Sequence, residues 1–325
     1  MTKTVVALTA VLMLGAPLHG SAQSRNPFVE HSDTGETVHV LPTPAAVRSP
    51  RDTAPTIAPA GAGPTVYAGS YGSGALVNHH GPVISNAGFL ALYWNDTAAN
   101  ARPSGSSNPT LLAQIDAFIA SFGSGAPYSQ APTDDFSIVQ QYSQSTANAI
   151  SSTVTNWHYF VAKEGTKSSI SDSGIRSFIA AQFNAGSFNA ASNIIYGVYL
   201  PPGMKVTMSG SSCSTFCGYH GHFNYGGTDI RYAVFPYLNC SACSVSGLTV
   251  ADMMTIVASH EIREAVTDPM LNAWFDNAGY EADDKCAWHH LYQMANGGFY
   301  VQPEFSNGGL VGGVSYPTPA GCVVP

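Results

Sequence analysis

The chain has 325 residues, 45% of them hydrophobic and 11% aromatic, enough to fill one large or two modest cores, which excludes a disordered protein. Only 10% of residues are charged and the formal net charge is -8, so the Lys/Arg footprint that phosphates require is missing and nucleic acid is excluded as the main partner. The abundance of Gly, Ser, Asn and Thr fits a secreted, loop-rich protein better than a cytosolic enzyme.

Residues 1–22 have the layout of a secretory signal peptide: Lys3, the apolar run VVALTAVLMLGA, then small and polar residues with cleavage expected after Ala22. The run is too short to span a bilayer comfortably, so the mature chain is expected to be extracellular or periplasmic, without membrane contact. Residues 23–65 are rich in Pro, Ala, Thr and Ser, and are expected to form a disordered leader or linker, or a propeptide. A single folded domain is expected over residues 66–325.

Within it GFLALYW (88–94) reads as a buried strand. NPTLLAQIDAFIASFG reads as a helix, with apolar residues three and four apart and Gly123 as its stop. TNWHYFVA is a second strand, and SDSGIRSFIAAQFNAG a second helix, capped by Ser171 or Asp172 and stopped at Gly186. NIIYGVYLPPG and DIRYAVFPY are strands rich in β-branched and aromatic residues. A third helix is expected from Val250 to Thr267, opened by a capping box of Thr249 and Asp252 and closed before Pro269. A turn-rich segment, NAWFDNAGYEADDKCAWHH, and a terminal strand and loop, GFYVQPEFSNGGL, follow. The alternation predicts an α/β or α+β fold, a mixed sheet flanked by helices with disulfide-stabilised loops.

Six cysteines in an exported chain point to disulfides. The local pairs Cys213–Cys217 and Cys240–Cys243 are expected, leaving Cys286 to tie the region after the third helix to Cys322. A zinc-knuckle reading of CSTFC and CSAC is the weaker alternative in an oxidising compartment.

The third helix carries SHEIREAVTDP (259–269), which starts like the zinc-protease signature HExxH but has Glu264 in place of the second histidine. Glu264 lies about 40° round the helix from His260 and one turn along, so both side chains can reach one ion. Glu261, about 100° from His260, can polarise a metal-bound water, which gives a zincin-like active-site helix. The plain alternative is a capped surface helix with a structural histidine. The apolar Met253, Ile256 and Val257 upstream argue that the ionisable pair faces the core. A catalytic zinc needs a third protein ligand. Asp268 is about 12 Å along the axis from His260 and reads as helix termination. Glu281 and Asp284 are the better candidates, brought back by the turn. His220, His222, His289 and His290 are further ligands or donors to consider, each of them more simply read as polar packing.

Together NHHGPVISNAGFLALYW, FCGYHGHF, DIRYAVFP, ASHEIREAVTDPMLNAWFD and EADDKCAW resemble the Exordium-like, phosphate-induced family, over most of the chain from about residue 77 to 288. The resemblance implies a zinc metallopeptidase like the bacterial relatives, or an extracellular, wall-associated growth protein like the plant members, with cell-wall or matrix contact. The leading expectation is a secreted zinc peptidase acting on protein or peptide substrates. In it His260, Glu264 and one of Glu281 or Asp284 hold the metal and Glu261 is the general base. The competing expectation is a non-catalytic extracellular binding or signalling module.

Overall fold

The computed structural model describes residues 26–47, 54–59, 64–105, 107–123, 136–145 and 148–325; the expected signal peptide lies outside the described residues. A seven-stranded mixed sheet forms the centre. Its strands are β1 (Val29–His31), β2 (Thr37–Pro42), β3 (Gly88–Tyr93), β4 (Thr155–Val161), β5 (Ile194–Tyr199), β6 (Phe216–Tyr225) and β7 (Thr228–Phe235). Their order across the sheet is β1-β2-β6-β7-β5-β3-β4. The half from β7 to β4 is parallel, the half from β1 to β7 antiparallel, and the fold class is α+β. β3 and β5 are buried at every residue, which is why they read as unbroken apolar runs.

Among the described residues three helices longer than ten residues pack with the sheet: α1 (Leu111–Ser121), α2 (Asp172–Asn184) and α3 (Val250–Thr267). Each begins where a hydroxyl satisfies an orphan amide: Thr110 accepts from Ala113, Ser171 from Gly174, and Thr249 exchanges bonds with Asp252 in the capping box the sequence predicts. Asp268 ends α3 in a non-helical conformation ahead of Pro269.

Strand periodicity decides which helix lies where. The Tyr219 and Tyr232 hydroxyls donate to Asp172 Oδ1 of α2 at 2.9 and 2.6 Å. Gly218, next to Tyr219, therefore faces the other way, toward α3. A Cβ at Gly218 would stand 2.4 Å from Val257 Cγ1, so the missing side chain is what lets α3 sit close on β6. α1 packs beside α3, with Gln114 Nε2 donating to Ala251 O at 2.9 Å.

Two expectations change. The segment read as a disordered leader supplies β1 and β2, and Phe28, Val38, Val40 and Leu41 are core residues. Its TVHVLP run is β-branched and alternating, and it pairs with β6, so the folded unit begins well before Val66. The local disulfides are also replaced: the bonds are Cys213–Cys240, Cys217–Cys243 and Cys286–Cys322. β6 and β7 are antiparallel neighbours, so the chain entering β6 and the chain leaving β7 lie at the same end of the sheet, and the first two bonds join these two segments rather than closing within either. Cys286–Cys322 is as expected, and joins the turn after α3 to a terminal strand, Gly321–Val324, of a small antiparallel sheet. No helix among the described residues is long and apolar enough to cross a membrane.

Candidate metal centre

Every residue of α3 from Met253 to Thr267 is buried, so the ionisable turn is enclosed rather than solvated. His260 Nε2 lies 3.1 Å from Glu264 Oε2, as the one-turn spacing requires. Three other elements close on this pair. β6 brings His220, β2 brings His39, and the turn after α3 brings Glu281 and Asp284. That turn is pinned by the site itself: the Asp284 amide donates to Glu264 Oε1 and the Glu281 amide to Asp284 Oδ2, both at 2.9 Å.

The resulting cluster is tight. His39 Nδ1 stands 3.2 Å from Glu281 Oε1, 3.5 Å from Asp284 Oδ2 and 3.9 Å from Glu264 Oε2. His260 Nε2 is 3.8 Å from Asp284 Oδ1. His220 Nδ1 is 3.1 Å from Glu261 Oε2, while its Nε2 is 3.8 Å from Glu281 Oε2. His220 and the carboxylate residues have no solvent exposure, nor has His260, and His39 is 5% exposed. Donor atoms of His39, Glu264 and Asp284 lie within 4.8 Å of one another, as do those of His220, Glu261 and Glu264.

Proximity is not satisfaction. His39 Nδ1, His220 Nε2, His260 Nε2, Glu264 Oε2, Asp284 Oδ1 and both Glu281 carboxylate oxygens are buried without a hydrogen bond. Each such atom costs about 1–3 kcal/mol when left unsatisfied. Their nearest polar neighbours are one another, at 3.1 to 3.9 Å, and a cation among them would supply the contacts these atoms lack.

The electrostatics point the same way. Burial would lower His260, but Glu264 and the other carboxylates outweigh it and push the ring up to about 9. Burial would raise Glu264, but His260 and then His39 hold it below its ordinary range. Burial, reinforced by the Glu264 charge, drives Glu281 and Asp284 well up. Glu261 is also raised, by burial first and against the attraction of His260. His220 is lowered by burial to about 3, so that ring is neutral and keeps a lone pair for coordination. Without added positive charge these carboxyls cannot ionise together.

Supporting residues fix the orientation. Gln302 Nε2 is 3.2 Å from His260 Nδ1 and also donates to the Asp283 backbone carbonyl. Arg263, the cation inside α3, is held by Asp283 through Nε at 3.0 Å and by the Gln302 carbonyl at 2.6 Å.

Of the residues singled out by sequence, His260, Glu264, Glu281 and Asp284 come together, and both acids of the turn are present where one was expected. Glu261 faces His220. Asp268 Oδ1 accepts from the Asn272 and Ala273 amides at 2.6 and 2.7 Å, closing the turn after the helix, and burial pushes its carboxyl up to about 6. His222 is outside the cluster and helps line a cavity of about 680 Å³ with Arg176, Phe223, Asp229 and Met270. His289 lies 3.4 Å from the Tyr71 hydroxyl and His290 stacks on Tyr67, both as polar packing. Sequence reasoning missed His39 and Gln302; the alternation in TVHVLP was the available signal for the first.

Comparison of the chain with protein-family models, with curated proteins and with solved structures finds no match.

Proposed function

We propose that this chain is a secreted, metal-dependent hydrolase of peptide bonds, of the Exordium-like kind, with zinc as the ion its donors suit. The supporting observation is the set of buried histidine nitrogens and carboxylate oxygens, built on the His260–Glu264 helical turn, that lack hydrogen-bond partners. Imidazole and carboxylate donors in this mixture suit zinc and other borderline divalent ions. His260, Glu264, Asp284 and His39 would hold the ion, which would polarise a carbonyl and acidify a water. Glu261 would take the proton, with His220 Nδ1 3.1 Å away to hold its carboxylate in place.

Complete burial of the donors favours one second reading, an extracellular protein in which the ion is structural. The test is metal analysis of protein purified without chelators, followed by cleavage of an unstructured protein substrate. The hydrolase reading expects bound zinc, cleavage by the native chain, and loss of cleavage with retention of metal in Glu261→Gln. Bound metal without cleavage supports the structural reading, and absence of bound metal sinks both.

A further inference from the structure

We infer that the cluster holds two divalent cations, sharing Glu281, rather than one. The inference rests on the metal-binding part of the proposed function and adds a second position, at His220, to the one at His260.

Three observations carry it. First, Glu264 Oε2 is central: it lies 3.1 Å from His260 Nε2 and 3.9 Å from both His39 Nδ1 and His220 Nδ1. At His220 the nitrogen near Glu264 is Nδ1, which is bonded to Glu261, so Glu264 belongs to the position at His260 and His39. Second, the two Glu281 oxygens are divided, Oε1 at 3.2 Å from His39 and Oε2 at 3.8 Å from His220, and both lack hydrogen-bond partners. A carboxylate serving one ion would turn toward one side of the cluster; this one faces both. His220 also has the layout of a supported ligand, with Nδ1 bonded to Glu261 and Nε2 left free toward Glu281.

Third, the charge balance accommodates it. Glu261, Glu264, Glu281 and Asp284 have no solvent exposure, and among the described residues none forms an ion pair with Lys or Arg. With the three histidines neutral as ligands, these carboxylates carry four negative charges. Two divalent cations balance all four carboxylates when ionised, whereas one is balanced with two of the carboxyls protonated. Two-metal sites place their ions about 3.5–4 Å apart, a spacing that bridging carboxylates set.

The deciding experiment uses the full secreted chain with its disulfides formed. It is stripped with chelator, reloaded with zinc, and counted by equilibrium dialysis and elemental analysis; a second sample is loaded with manganese(II) for electron paramagnetic resonance. The expected result is two zinc ions per chain, an exchange-coupled manganese signal, and a fall to one ion per chain in Glu281→Gln with an unchanged circular dichroism spectrum. One ion per chain in the native protein overturns the second position while leaving the one-ion reading intact. Two ions with an uncoupled manganese spectrum place the second ion elsewhere and also overturn it. No bound ion removes both readings together.

Discussion

Asp276→Asn should unfold this protein more easily by about 3–5 kcal/mol, because among the described residues Asp276 is the carboxylate that pairs with the buried Lys285 ammonium. Asp276 Oδ2 accepts from Lys285 Nζ at 2.8 Å and from the Ser73 amide at 2.7 Å, and Oδ1 accepts from the Ala278 and Tyr280 amides at 2.8 and 3.1 Å. Both ion-pair partners are shielded, Asp276 at 0% and Lys285 at 1% exposure, so solvent cannot replace the lost charge. The substitution also turns one acceptor into a donor among three N–H groups and an ammonium. At roughly 2–4 °C per kcal/mol for a domain of this size, Tm should fall by about 10 °C.

The pH dependence has a definite sign. Burial would raise the Asp276 carboxyl, but Lys285 and then the backbone amides outweigh it and hold it below its ordinary value. A carboxyl lowered in the folded state contributes stability that is complete above its unfolded value, near 4, and is lost as pH falls through the folded value. The native and variant denaturation curves should therefore differ most at neutral pH and converge below about pH 4. Chemical denaturation at pH 7 and pH 3 measures both. A difference under about 1 kcal/mol at pH 7, or one that persists unchanged at pH 3, would refute the reasoning. Because Lys285 follows Asp284, the variant should also bind zinc more weakly, which a competitive chelator titration reads out.

Removing residues 26–47 takes away His39 and uncovers the β6 edge, so the truncated chain should be insoluble or protease-sensitive, whereas a dispensable leader would leave solubility and proteolysis unchanged. Gly218→Ala places a methyl 2.4 Å from Val257 Cγ1 and should cost about 1–3 kcal/mol in thermal unfolding, with loss of metal if α3 shifts off β6. Replacing Cys286 and Cys322 by Ser opens a loop closed over 36 residues of separation and should cost about 3–4 kcal/mol by the loop-closure relation, visible as a lower denaturation midpoint.

The elements that can be read from local pattern were legible in the chain. α3 and its Thr249–Asp252 box, α2 with its Ser171 cap, and the central strands follow from periodicity and capping, because those interactions span only a few residues. The His260–Glu264 pair was legible for the same reason: a helix fixes the relation between residues four apart. What tertiary structure alone decided is everything that depends on which strands become neighbours. His39 meets His220 because β2 lies beside β6, and the two are far apart in sequence. Cys213 meets Cys240 because the antiparallel pairing of β6 with β7 brings the segment before one and the segment after the other to the same end of the sheet. Glu281 and Asp284 both reach Glu264 because the turn after α3 is tied back by its own amides and by Cys286–Cys322. Helix and strand periods are set along the chain, whereas the enclosure that leaves seven donor atoms without hydrogen bonds is set by packing across it.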